Sequence, residues 1–272
     1  MKNRIQRRLT RGWVLGLVLT FLSSPGHTLN LTPVNDFIAT EVPSHIFGNN
    51  DRLRASKGAE WKKFVGRLVN NATGSSCTAS LVGKDLLITA AHCIVPANYP
   101  IEALEFQQSY EEGKMLGRSG IVQWWANAKY DYAILRLATP LGDEDHSLRQ
   151  RFFKVLSVNQ VDHWMEDPVM LAGYGKYFSG SEFLTAQRSC RVRSYSNFFL
   201  HHDCDIDFGD SGGPIFINHP QFGWTIVGIH SQARTRNGQM QALAHYNSAF
   251  THFGASYWAW APSLTKIEQG SR

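Results

Sequence analysis

Seven short apolar runs, separated by turn-forming residues, limit what this chain can become. They are Phe64–Val69, Ala79–Val82, Leu86–Ala90, Tyr132–Leu137, Val169–Ala172, Pro214–Ile217 and Thr225–Ile229. Runs of this length, rich in Val, Ile, Leu and Phe, suit buried strands and are too short for ordinary helices. Gly, Pro, Ser and Asn cluster between them at Asn70–Ser75, Pro96–Pro100, Thr139–Gly142 and Tyr174–Gly180, which read as turns. Many short strands with such punctuation point to an all-β sandwich or barrel rather than to alternating α/β units. One stretch, Tyr257–Gln269, could be helical, with Pro262 opposing an unbroken helix.

Net charge says little about partners once its location is known. The chain of 272 residues has a formal charge of +5, but Lys2, Arg4, Arg7, Arg8 and Arg11 lie in a stretch free of acids. Without those five, 22 Lys and Arg face 22 Asp and Glu, so the remaining chain is near neutral and offers no footprint for nucleic acid. The basic stretch precedes an apolar run, Gly12–Leu22, and then Ser23, Ser24, Pro25 and Gly26. That order is the order of a secretory signal peptide, expected over residues 1–26. As a helix the apolar run reaches roughly 16 Å, well short of a hydrocarbon core of about 30 Å, so no stable membrane insertion is expected after cleavage. Residues 27–45 read as a propeptide or N-terminal extension. Export to an extracellular or periplasmic space follows.

Export also gives the four cysteines, Cys77, Cys93, Cys190 and Cys204, a use. An even number in an exported chain suggests disulfides, with three pairings open. Pairing of nearest neighbours would close two short loops, each stabilising by roughly 3 kcal/mol. A zinc site from His92, His201, His202 and cysteines is the alternative. It lacks any Cys-x-x-Cys pair and needs joint ligation by the adjacent His92 and Cys93, so no metal is expected.

Three separated segments carry chemistry. Gly209-Asp210-Ser211-Gly212-Gly213-Pro214 offers a serine among small residues, and Thr89-Ala90-Ala91-His92-Cys93 offers a histidine. A serine hydroxyl attacks poorly until a positioned base takes its proton, which makes the two segments partners. Between them Asp131 heads the apolar run Tyr132–Leu137. Gly209-x-Ser211-x-Gly213 also fits the nucleophile elbow of α/β-hydrolases, where an acid and then a histidine follow the serine. Here Glu268 is the only carboxylate after Ser211 and no histidine follows it, which excludes that connectivity.

The order His92, Asp131, Ser211 is that of the chymotrypsin-type triad, and the chain resembles the trypsin-like serine peptidases. Within them it is most similar in motif style to the bacterial branch containing the glutamyl endopeptidases. The resemblance runs from about Ile46 to Phe250. It rests on Gly48 with Asp51-Arg52, Cys77–Gly83, Thr89–Cys93, Asp131–Leu137, Ala172–Tyr174, His202–Asp205, Gly209–Pro214 and Gly228–His230. It implies two six-stranded antiparallel β-barrels, over residues 46–150 and 151–272, with the site in the cleft between them. It further implies Ser211 as nucleophile, His92 as general base, Asp131 as its orienting acid, and an oxyanion hole from the N–H groups of Gly209 and Ser211. Polypeptides would be the substrates, no cofactor would be needed, and a monomer would suffice. A protease-like binding protein without activity is the rival reading.

For specificity the resemblance gives opposed signals. Asp205 lies six residues before Ser211, where trypsin holds basic side chains, and this tilts the reading slightly towards Lys or Arg. His230 matches the histidine with which glutamyl endopeptidases hold a carboxylate, yet Ile206 stands where they offer a threonine. Ser231 follows in the strand Ile229–Ala233, which should pair with substrate backbone. Asp210 matches the carboxylate that in trypsin binds a new N-terminus after propeptide removal. Ile46 could supply such a terminus, but His45 precedes it in place of Arg or Lys, and both a zymogen and a chain needing no switch stay open.

Overall fold

The computed structural model describes residues 46–47, 49–95, 99–142, 150–155, 167–196, 199–236 and 239–246. The expected signal and propeptide segments, Gly48 and the expected helix at Tyr257–Gln269 lie outside them. Fifteen strands are present: β1 (Leu53–Arg54), β2 (Val65–Asn70), β3 (Ser76–Leu81), β4 (Leu86–Thr89), β5 (Leu104–Gln108), β6 (Gly117–Asn127), β7 (Tyr132–Leu137), β8 (Lys154–Val155), β9 (Val169–Gly173), β10 (Thr185–Cys190), β11 (Val192–Ser196), β12 (Phe199–His202), β13 (Pro214–His219), β14 (Gly223–Arg236) and β15 (Gln239–Tyr246). Among the described residues the one α-helix is α1 (Lys176–Ser179), four residues long.

Strands β2-β3-β4-β7-β6-β5 close an antiparallel barrel. Its interior is filled by Leu68, Leu81, Leu87, Phe106, Ile121 and Leu135 among others. Strand β7 is almost wholly buried, as its apolar sequence, interrupted only at the half-buried Arg136, requires, whereas β6 exposes Val122 and Trp124 on its outer face. The second half is a sheet of nine strands rather than the six expected, eight of them in the order β1-β10-β9-β13-β14-β15-β12-β11 and the ninth, β8, paired with β14 off that path. Two of the additional strands are β1, and β8, which runs parallel to β14. Residues up to Ala55, grouped with the first barrel on sequence, instead form a strap on this second sheet. Leu53 and Arg54 pair with Ala186 and Thr185, and the Ala55 N–H donates to Leu184 O at 2.8 Å.

An aromatic core holds the two halves together. Trp61 and Phe64 of the first half meet Phe216 and Phe153 of the second at ring-centroid distances of 5.1 and 5.3 Å, and Phe153 and Phe216 lie 5.0 Å apart. Each buried ring contributes roughly 2–3 kcal/mol by transfer from water. The disulfides are Cys77–Cys93 and Cys190–Cys204, the nearest-neighbour pairing. They consume all four thiols and leave the zinc alternative without thiolate ligands. No helix among the described residues is long and apolar enough to cross a membrane.

Candidate active site

His92 sits in a 3₁₀ turn, Ala91–Cys93, that follows β4 and is pinned to β3 by the Cys77–Cys93 bridge. Asp131 occupies the turn before β7 with φ of 50°, a left-handed conformation that turns its carboxylate back towards that loop. The carboxylate accepts the His92 backbone N–H on Oδ1 and bonds His92 Nδ1 through Oδ2, both at 2.8 Å. Burial pushes the Asp131 carboxyl up, but the bonds and charge from His92, with the Ser231 hydroxyl, outweigh it and hold it below its ordinary value. An ionised acid there makes Nδ1 the protonated nitrogen of a neutral ring and leaves Nε2 without a proton.

Ser231 reaches the same carboxylate because β14 carries an irregularity. The pairing of β14 with β15 slips between His230 and Gln232, so Ser231 has no opposite residue in the ladder. Such a bulge re-aims a side chain, and the Ser231 hydroxyl donates to Asp131 Oδ2 at 2.5 Å. Ser231, read from sequence as a substrate contact, is thus placed on the acid.

Ser211 is brought to this group by its backbone. Its carbonyl oxygen accepts the Thr78 N–H at 2.8 Å and lies 3.8 Å from Cys93 Sγ, next to His92. The following Gly212 N–H donates to His230 O at 2.8 Å, one residue from Ser231. The loop is therefore tied to both elements that hold the His92–Asp131 pair. No hydrogen bond joins the Ser211 hydroxyl to the His92 ring among the described residues. In ligand-free enzymes this contact is often long and tightens when substrate binds.

Gly209 turns the chain at φ of 100°. A Cβ there would stand 2.3 Å from Tyr174 O, so glycine is required both by conformation and by space. The N–H groups of Gly209 and Ser211 meet no acceptor among the described residues. Sequence reasoning missed Thr78. Fully buried in the first barrel, it donates its hydroxyl to Gly209 O at 2.8 Å while accepting the Tyr174 N–H at 3.0 Å. One side chain thus ties the glycine turn of the second half to the first barrel. Its place directly after Cys77 was the only available signal.

The two specificity candidates differ in setting. Asp205 is fully buried, and its carboxylate accepts the N–H of Phe47 at 2.7 Å and of Asp51 at 3.0 Å. It holds the strap. His230 Nδ1 lies 3.3 Å from His202 Nε2, and His202 Nδ1 accepts the Cys204 N–H at 3.2 Å. Burial lowers the pKa of His202 to about 3, so the ring is neutral at ordinary pH. A neutral His202 that accepts on Nδ1 carries its proton on Nε2 and donates to His230 Nδ1. His230 then carries its own proton on Nε2, as a donor.

The two halves, the turn of small residues and the paired His92 and Asp131 together define a chymotrypsin-like arrangement. A family model described as Trypsin matches residues 54–253, and the chain belongs to that family, the trypsin-like serine peptidases. A solved structure of a Glu endopeptidase in complex with MPD superimposes with a TM-score of 0.61 at 16% identity, covering 79% of this chain and 100% of that one. At that identity the likeness speaks for the chymotrypsin-like double-barrel fold alone. A sequence comparison with curated proteins finds no significant match.

Proposed function

We propose that the protein is a secreted serine endopeptidase that cleaves polypeptides through an acyl-enzyme, with Ser211 as nucleophile. The observation that carries this is the Asp131 carboxylate, which holds His92 through both its backbone and its ring beside the loop of Ser211. His92 Nε2 takes the Ser211 proton as the hydroxyl attacks the scissile carbonyl and returns it to the leaving amine. The N–H groups of Gly209 and Ser211 receive the developing oxyanion. Substrate adds as a further strand beside Ser231–Arg236, where β14 pairs with β15 on one side and has passed the end of β13 on the other. The signal-like residues 1–26 and the two disulfides support export, and the reaction uses no metal or cofactor.

For the cleaved residue we favour an acidic side chain over a basic one. The buried Asp205 accepts two N–H groups of the strap, which weighs against the basic reading. The His202 contact fixes His230 in the tautomer that donates from Nε2 to a carboxylate.

Incubation of the mature protein with a fluorophosphonate probe tests the activity, with peptide mapping of the adduct. Covalent label is expected on Ser211. Properly folded protein that takes no label supports the silent binding protein instead. Cleavage of a peptide library tests the specificity. Arg and Lys should be disfavoured before the cut, and Asp205→Asn should leave the profile unaltered in any variant that stays folded. A selective loss of cutting after Arg or Lys in that variant returns Asp205 to the pocket.

A further inference from the structure

The turn that carries Gly209 and Ser211 is built around a buried cation from the far end of the chain. Arg52, on the strap, is 3% exposed. Its Nη1 lies 3.3 Å from Asp210 Oδ2 and 3.8 Å from Asp207 Oδ2. Asn50 Oδ1 accepts the Arg52 Nε–H at 3.1 Å, and Phe178 lies under the guanidinium at 4.9 Å, so the fork is aimed rather than free to swing. Both carboxylates pass the constraint on. Asp210 Oδ2 accepts the Asp207 N–H at 2.8 Å, and Asp207 Oδ2 accepts the N–H groups of Tyr177 and Phe178 at 2.7 and 2.9 Å. Asp210 is the residue between Gly209 and Ser211, so whatever fixes its side chain fixes the peptide planes on either side.

The strap meets the second half at separate points. Phe47 and Asp51 are bound at Asp205, while Arg52 serves Asp210 and Asp207. With the Phe47 N–H already on Asp205, a terminus made by cutting before Ile46 would emerge beside Asp205, about one residue spacing of 3.8 Å away. Asp210, the position where trypsin seats its new terminus, already has a cation. His45 gives a trypsin-like activator no residue to cut after.

We propose that Arg52 is a positioning residue that supplies in cis the positive charge for Asp210, so that the oxyanion turn is assembled in the uncut chain and cleavage before Ile46 is not an activation step. The proposal rests on the reading of Ser211 as nucleophile. A buried carboxylate deprived of its cation takes up a proton or seeks water. Burial, with the neighbouring Asp207 charge, already pushes Asp210 up to about 7 despite the pull of Arg52. Either response loosens the contact with the Asp207 N–H and lets the Gly209 and Ser211 N–H groups drift from the oxyanion position. Arg52 is buried rather than presented at the surface, so its loss should fall on kcat and on the rate of covalent labelling rather than on KM.

The test compares fluorophosphonate labelling rates. Two forms of the wild-type chain are needed, one starting at His27 with residues 27–45 retained, verified by intact mass, and one starting at Ile46. Both should label at rates within about threefold of each other. Arg52→Gln, which keeps donors and loses the charge, should label and turn over about 100-fold more slowly, with KM within about threefold of wild type. Arg52→Lys, which keeps the charge and loses the fork, should recover most of that loss. Labelling only of the form that starts at Ile46 overturns the proposal, as does Arg52→Gln labelling at the wild-type rate. Should Arg52→Gln fail to fold, the two N-terminal forms still decide the question. Absence of label in both wild-type forms refutes the nucleophile assignment itself, which is a different result from a charge that proves irrelevant.

Discussion

Asp131→Asn is expected to lower kcat about 10⁴-fold while leaving the fold in place, the scale set by the same change in the template triad. The carboxylate accepts three bonds, from His92 N, His92 Nδ1 and the Ser231 hydroxyl. An amide has one acceptor oxygen. If that oxygen keeps the His92 backbone, the amide NH2 faces Nδ1 and drives the ring proton to Nε2, the nitrogen that must accept from Ser211. The backbone survives because asparagine tolerates the left-handed conformation at φ of 50°. Thermal melts should therefore change little while turnover collapses, and a variant within tenfold of wild type refutes the role. The acid dependence of stability should change too. The pKa of Asp131 is depressed in the folded state, so its contribution is present above the unfolded value and is lost as pH falls through the folded one. The Asn variant should lack that part of the loss.

What could be read from sequence had local causes. The strand-length apolar runs became β2, the end of β3, β4, β7, β9, β13 and the middle of β14, because burial against a core imposes that length and composition. That the four cysteines would form disulfides, and the chain order of His92, Asp131 and Ser211, were also visible, while the choice among three pairings came only from the structure. Strand β6 was not, because an outer-face strand with Val122 and Trp124 exposed carries neither an apolar run nor clean alternation. Residues 174–180 were read as a turn, yet α1 forms there. The carboxylate on its first N–H groups comes from Asp207, about 30 residues on, so no local cap announced it. Asp205 and Asp210 were assigned by their distance from Ser211. Their partners, Phe47, Asp51 and Arg52, lie 154 to 158 residues away, and only the folded strap brings them together.

Gly209→Ala should reduce kcat about 100- to 1,000-fold, the range for loss of one oxyanion donor. The new Cβ would sit 2.3 Å from Tyr174 O, and that oxygen cannot retreat. Tyr174 is fully buried, its N–H is held by Thr78, its hydroxyl donates to Tyr110 O at 3.1 Å, and its carbonyl already accepts the Ser181 hydroxyl at 3.0 Å. Relief must come from Gly209 itself, which also has to leave a φ of 100° that other residues rarely adopt. Its carbonyl is tied to the Thr78 hydroxyl, so the rotation falls on the preceding Phe208–Gly209 peptide, which carries the Gly209 N–H, and swings that N–H off the oxyanion position. Because this donor acts on charge that appears only as the carbonyl is attacked, KM should move far less than kcat. Gly58→Ala is the matched control, since nothing lies within 4 Å of a Cβ there. If Gly209→Ala keeps kcat within about threefold of that control in a folded protein, the Gly209 N–H has no part in stabilising the transition state.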